Sequence, residues 1–334
     1  MLNPSTSSAW QRRRNERKWL NVREIPTLFH LPKTGGTTML ILHNNARVPS
    51  TPEKEESNGL VFFGMPDTPF AIWDAVMHKG SDLRFLGGHM GLADVQMVQQ
   101  HAPNIQFKPF TILREPNERL ASFWAYLQQL NSDNRTLPQM LTTMLPNSMY
   151  RMLAPLDSNL TDTITTMSAI KKSLRENFSV VGLTERFDET LMLLTRKGII
   201  RDPSYSKHKV LASSRPKVED FPENLQKRLR RHNSLDTELY NWAKEYFEEQ
   251  IRTVPDMQKR VIAFQEEQKQ RLEHSGKEED CEDDLPRFGG WSCQKEKRSE
   301  RPNRQKQRAE TVAKMSVTEQ LLYHLQQLNK PRYW

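Results

Sequence analysis

The stretch Thr27-Leu-Phe-His-Leu-Pro-Lys-Thr-Gly-Gly-Thr-Thr-Met-Leu-Ile-Leu42 decides how this chain folds. Leu28 to Leu31 is a short apolar run of the kind that forms a buried strand. Pro32 has no backbone N–H to donate and ends it. Lys33-Thr34-Gly35-Gly36 then makes a turn, and Thr37 to Asn45 predicts a helix. Strand, glycine-bearing turn and helix together predict a cradle for an anion. Glycines let backbone N–H groups approach the ligand, and a helix N-terminus adds partial positive charge. Lys33 adds a full charge, and the Thr34, Thr37 and Thr38 hydroxyls add donors. Such a turn suits a phosphorylated or sulfated ligand. The nucleoside-triphosphate loop G-x-x-x-x-G-K-[ST] places its lysine after the glycines. Here the lysine precedes them, and that loop has no match in the chain.

Strand, turn and helix recur further along. Leu60-Val-Phe-Phe63 predicts a second strand and Phe70 to Met77 a short helix. Leu83 to Met90 reads as a strand running into Gly87-Gly88, with His89 at its end, and Ala93 to His101 as a helix. Lys108 to Arg114 is the next strand. In the run Glu118 to Leu130 that follows, Leu120, Phe123, Trp124 and Leu127 fall on one helical face. Asn131 to Ser173 reads as helices and loops. Phe178 to Leu183 predicts a strand and Phe187 to Thr195 a helix, with Asp188 and Glu189 favourably placed in its first turn. Leu235 to Ile251 is an amphipathic helix. This alternation predicts an α/β fold: a P-loop-like three-layer arrangement with a central, mostly parallel sheet flanked by helices. Ligands of such sheets bind beyond the carboxyl ends of the strands, where Lys33, His89 and Arg114 all fall.

Three regions differ in composition. Residues 1–24 are a basic, low-complexity arm containing Arg12-Arg13-Arg14, expected to be disordered. Residues 25–255 form the globular α/β domain. Residues 256–334 are a charged extension with helical segments: Gln258 to Glu279, an acidic block from Glu278 to Asp284, a basic block from Lys295 to Arg308, and a short helix from Val317 to Leu328. These flanking regions explain a mean hydropathy of −0.77 in a chain with a core to bury. The net charge of +8 favours anionic partners without choosing among nucleotides, acidic glycans, nucleic acid and anionic membranes. The chain has no apolar run of ~18 residues and no secretory signal at its N-terminus, which predicts a soluble protein that stays where it is made. The two cysteines, Cys281 and Cys293, leave one small disulfide loop and two free thiols equally open, and no zinc-site spacing occurs. The sequons at Asn134, Asn159 and Asn177 are no more than chance supplies in a chain this rich in Asn, Ser and Thr.

The run Pro32-Lys-Thr-Gly-Gly-Thr-Thr38 after a strand resembles the 5′-phosphosulfate loop of carbohydrate sulfotransferases that use 3′-phosphoadenosine 5′-phosphosulfate (PAPS). The likeness is to the branch containing the heparan sulfate 2-O- and 6-O-sulfotransferases. Thr111-Ile-Leu-Arg-Glu-Pro-Asn-Glu-Arg-Leu-Ala-Ser-Phe-Trp-Ala-Tyr126 resembles that family's 3′-phosphate motif, roughly L-R-D-P-x-x-R-x-x-S-x-Y. It departs at Glu115, where aspartate is usual, and at Trp124, where tyrosine is commoner. Gly87-Gly88-His89 resembles the branch's Gly-His element. Val181-Gly-Leu-Thr-Glu-Arg-Phe-Asp-Glu-Thr-Leu191 and Asn233 to Phe247 resemble two supporting segments. The resemblance spans residues 27–250.

The resemblance implies a sulfotransferase with PAPS as donor, no metal, and a carbohydrate acceptor, often an acidic glycan, with no specific nucleic-acid partner. Lys33, Thr34, Gly35, Gly36, Thr37 and Thr38 would bind the donor's 5′ end, and Arg114 and Ser122 its 3′-phosphate. Lys33 and His89 would be catalytic, His89 as general base, since imidazole takes up a proton near working pH. His30, inside the first strand, is expected to be structural. The animal members of the branch are Golgi membrane proteins, which implies that compartment if the N-terminus is incomplete. Two other readings remain open: a Mg²⁺-dependent nucleoside-triphosphate phosphotransferase, and a non-catalytic nucleotide- or polyanion-binding protein on the same fold.

Overall fold

A computed structural model of the chain describes residues 24–45, 60–63, 72–73, 76, 83–102, 105–129, 134–205 and 216–275. The basic arm before Glu24, most of the expected short helix from Phe70 to Met77, both cysteines and the helix expected at Val317 to Leu328 lie outside these residues.

Among the described residues five strands make one sheet: β1 (Glu24–Phe29), β2 (Leu60–Phe63), β3 (Phe85–Gly88), β4 (Gln106–Leu113) and β5 (Val180–Leu183). They lie in the order β2-β3-β1-β4-β5, and every neighbouring pair is parallel. Helices α1 (Gly36–Asn45), α2 (Leu92–His101), α3 (Pro116–Gln129), α4 (Leu137–Thr143), α5 (Ser148–Leu153) and α6 (Thr163–Asn177) fill the crossovers. They are followed by α7 (Phe187–Arg196), α8 (Glu223–His232), α9 (Ser234–Arg252) and α10 (Met257–Ser275). This is the expected three-layer α/β architecture, with a sheet that is wholly parallel.

The strands read as continuous apolar runs because helices cover both faces of the sheet. Leu28, Phe29, Phe85, Leu86, Phe110, Ile112, Val180 and Val181 are all buried. Two buried threonines between them are satisfied locally: Thr27 Oγ1 donates to Ile25 O at 2.8 Å and Thr111 Oγ1 to Phe29 O at 2.9 Å. A smaller apolar cluster holds α3, α4 and α8 together through Leu120, Leu137, Met140, Leu141 and Leu229.

Several boundaries differ from expectation. β1 begins at Glu24 rather than Leu28, because pairing with β4 from Glu24↔Gln106 onward carries Ile25 and Pro26 into the sheet. Two prolines in inner strands look out of place, since proline cannot donate to a ladder. Pro26 pairs with Lys108 one residue before β3 joins at Thr27↔Leu86. Pro109 stands one residue before β5 joins at Phe110↔Val180. Pro26 therefore lies where its strand has a paired neighbour on one side only, while Pro109 lies at the start of the β5 ladder and uses only its carbonyl on that side, accepting from Ser179 N at 2.8 Å. The packed domain also runs past residue 255: α10 lies on α7, and Met257 and Phe264 are buried in the main core.

Candidate functional site

The chain leaves β1 toward β2 on one side of the sheet and leaves β4 toward β5 on the other. Loops that part in this way open a crevice beyond the carboxyl ends of the two strands. The register aligns the neighbours there, with Phe29 opposite Gly88 on one side and Thr111 on the other. The Lys33 turn, His89 and Arg114 thus leave three adjacent strands at one end of the sheet.

The Lys33–Gly36 turn is built by backbone conformation. Lys33 has φ 71° and Gly35 φ 88°, both left-handed, which is uncommon for a lysine. Arg114 Nη1 donates to Lys33 O at 3.1 Å, so the loop after β4 holds the turn after β1. The Lys33 ammonium sits 4.1 Å from the centre of the Tyr126 ring, a cation–π contact reaching from the turn to α3. Burial pushes the Tyr126 hydroxyl up to about 12, so the ring stays a neutral phenol. The first backbone hydrogen bond of α1 runs from Met39 N to Gly35 O at 3.1 Å. The N–H groups of Gly36, Thr37 and Thr38 therefore have no acceptor inside the helix, and they supply the donors of an anion cradle.

Not every residue of the turn presents its side chain. Thr34 is buried, and its hydroxyl donates to Leu31 O at 2.7 Å. That hydroxyl staples the turn shut, and Thr34 has only its backbone to offer a ligand. Thr37 and Thr38 are half-buried. Gly36 is required by what lies under it: a Cβ there would fall 2.1 Å from His30 Nε2. Gly35 is covered by Phe187 at the start of α7, whose ring would lie 2.9 Å from an added Cβ.

His30 and His89 meet at the base of the turn. His30 N donates to Gly88 O at 2.9 Å, which extends the β1–β3 ladder by one bond. The two imidazoles lie 5.0 Å apart, centre to centre, tilted by 37°. His30 is buried and His89 half-buried. Desolvation, reinforced by His89 and Lys33, holds His30 well below the ordinary histidine value, so it is neutral at working pH.

The second unit, after β4, is organised by side chains. Glu115 caps α3: its carboxylate accepts from Glu118 N at 2.6 Å and from Asn117 Nδ2 at 2.9 Å. Its longer arm does the capping that an aspartate would do at this place. Glu115 N donates to Glu185 Oε1 at 2.8 Å, tying the turn to the segment after β5. Arg119 is buried, with its guanidinium 3.8 Å from Asp236 Oδ2 and bonded to Ser148 Oγ. Asp236 in turn accepts from Met149 N at 3.1 Å and Tyr150 N at 2.8 Å. Ser122 is also buried, so like Thr34 it is poorly open to a ligand. Trp124 faces away from the crevice, packing on Phe221 and donating to Arg135 O at 3.0 Å.

The fold thus gathers Lys33, the Gly36–Thr38 N–H groups, His89 and Arg114, whereas Thr34 and Ser122 turn inward. Tyr126, His30 and Glu185 are additions. Tyr126 closes the quoted Thr111 to Tyr126 run, but that run carries no sign that its ring would face Lys33. A cavity of about 620 Å³ lies beside Glu185, between the end of β5 and α9. Glu185, Glu245 and Glu248 outnumber Arg186 and Lys244 on its walls, which makes it a poorer setting for an anion than the Lys33–Arg114 crevice. Among the described residues no helix is long and apolar enough to cross a membrane. No protein-family model matches the chain, and no curated protein matches it either, so the functional reading rests on this geometry and its chemistry.

Proposed function

We propose that the chain is a PAPS-dependent sulfotransferase acting on a carbohydrate hydroxyl. The observation that carries this reading is the Arg114–Lys33 hydrogen bond at the crevice. It joins two anion-binding units, one made of backbone N–H groups and one of a guanidinium, and His89 follows the end of the neighbouring strand β3. Two anion sites beside one imidazole suit a donor with phosphate at both ends and an acceptor that must lose a proton. The donor set is cationic and rich in N–H groups, which fits the bisphosphate.

PAPS, when bound, supplies the sulfuryl group and leaves as the 3′,5′-bisphosphate. Lys33 and the N–H groups of Gly35 to Thr38 hold the 5′ end and stabilise charge as it builds there. Arg114 offers a planar fork to the 3′-phosphate, whereas Ser122, expected to assist it, is turned inward in α3. His89 takes the proton of the acceptor hydroxyl on its imidazole nitrogen as that oxygen bonds to sulfur. Fixing both phosphates before reaction is how this site orients the transfer. The net charge of +8 suits an acidic glycan as acceptor.

The test is transfer of radiolabelled sulfate from PAPS to a glycan panel by wild type, Lys33→Ala and His89→Ala. His89→Ala is expected to lose roughly 10²- to 10⁴-fold in rate and to keep its affinity for the desulfated product, adenosine 3′,5′-bisphosphate. Lys33→Ala is expected to weaken both. Unchanged transfer by both variants overturns the assignment. Tight bisphosphate binding without transfer to any acceptor replaces it with a non-catalytic nucleotide-binding protein.

A further inference from the structure

His30 touches each part of the proposed machinery. Its ring centre lies 5.0 Å from that of His89, the two planes tilted by 37°. The same ring fills the space over Gly36, where a Cβ would lie 2.1 to 2.4 Å from Nε2, Cε1 and Cδ2. Its Nδ1 is 3.4 Å from Thr34 Oγ1. Any buried imidazole needs a partner for its N–H, so it is the contacts with His89 and Gly36 together that set this ring apart.

The Thr34 hydroxyl fixes the tautomer. It has one hydrogen, and that hydrogen goes to Leu31 O at 2.7 Å. In the contact with His30 the threonine oxygen is therefore the acceptor, and Nδ1 carries the imidazole proton. Nε2 is then the basic nitrogen, on the edge that lies over Gly36 at the start of the cradle. Among the described residues, His89 from the end of β3 and Lys33 from the turn act electrostatically on this ring, and both oppose a proton on it.

We infer that His30 is a positioning residue for the proposed transfer: a neutral Nδ1–H imidazole wedged between His89 and Gly36. It fixes the plane of the base and the shape of the anion cradle with one ring. This inference rests on the sulfotransferase reading and adds a residue to it. Because His30 stays neutral, the proton taken from the acceptor goes to His89 alone, and two adjacent imidazolium charges never form. Because Gly36 lies against the same ring, a shift of the cradle also shifts the face on which His89 rests. Base and phosphate site are thereby set by a single buried group.

The experiment uses the full chain with ¹⁵N-labelled histidine and adenosine 3′,5′-bisphosphate as probe. His30 is expected to show a protonated Nδ1 and a bare Nε2 from pH 8 down to below 6.5, and to shift when the bisphosphate binds. His30→Phe keeps a ring over Gly36 and removes both nitrogens. It is expected to hold bisphosphate affinity within about twofold and to lower kcat by roughly 10- to 100-fold, the scale of a misplaced catalytic group. His30→Gln, with a polar group near the Nε2 position, is expected to recover part of kcat and the wild-type pH profile. A protonated Nε2, or wild-type kcat in both variants, overturns the inference. Loss of bisphosphate binding and kcat together in both variants also overturns it, by making the ring a wedge alone. Should His30→Phe fail to fold, the tautomer measurement on wild type decides. Wild type that binds no bisphosphate removes the parent reading, whereas one that binds and transfers with the wrong tautomer removes only this inference.

Discussion

The turns after β1 and β4 do related work with opposite construction. The first presents backbone, so its shape is imposed from beneath: His30 under Gly36, Thr34 stapled to Leu31, Phe187 over Gly35. The second presents a side chain, Arg114, so its shape is imposed from the helix behind it. There Glu115 caps α3 and Arg119 anchors the helix to Asp236 at the start of α9. The N–H-bearing turn supplies one support of its own, Thr34, and borrows the others from His30 and Phe187. A turn that binds with an arginine can carry its own cap.

That contrast can be broken at either end. Arg119→Ala should have the largest effect, because it strands Asp236 as a buried unpaired carboxylate among the N–H groups of α5. A loss of about 3–5 kcal/mol in urea unfolding is expected. A loss below 1 kcal/mol would mean that the second unit does not lean on this pair.

Acid should undermine the first unit. His43, on α1, lies with its ring centre 3.9 Å from that of Phe85, and burial lowers it to about 4. His30 is lowered in the same direction. For both groups the unfolded chain binds the proton first. The stabilisation from His43 is whole above pH 6.5 and drains away as pH falls toward 4, and that from His30 is likewise lost on the acid side. His43 alone should account for roughly 3 kcal/mol over that interval. Unfolding free energies measured across it check this, and a His43→Phe variant should flatten the dependence.

A smaller effect is expected from Gly36→Ala, whose Cβ would strike the His30 ring. Overpacking of this kind costs about 1–3 kcal/mol, and weakened bisphosphate binding should accompany it. Adding His30→Ala should restore part of the stability, since the two changes share one contact. The smallest effect is that of Glu115→Ala, which removes a helix cap worth about 1 kcal/mol by thermal melting. Its bisphosphate affinity should fall less than that of Gly36→Ala.

Much of the frame was legible because it is local. Apolar runs ended by proline or glycine marked β1, β3 and β4, and the spacing of Leu120, Phe123, Trp124 and Leu127 marked α3. Lys33, His89 and Arg114 could be placed because parallel sheets gather such loops at one end. The supports were hidden, since each joins residues far apart in sequence and has no periodicity. Nothing local in Gly36 announces that His30 lies beneath it, or in Asp236 that Arg119 will be its partner. Thr34 was expected to offer its hydroxyl to a ligand, whereas a backbone carbonyl three residues earlier takes it. α8 was missed because its exposed face is charged and only Leu229 is fully buried.

The central place of β1 has a consequence for how the protein assembles. Its neighbours, β3 and β4, lie some sixty to eighty residues later in the chain. During synthesis Leu28 and Phe29 wait uncovered until both arrive, and each pairing closes a long loop, which slows folding. The Lys33 carbonyl has no Arg114 to hold it until β4 docks. Docking β4 and completing the Lys33 turn are then one kinetic event, so a nascent chain stalled before β4 carries the whole P-K-T-G-G-T-T sequence without its folded form.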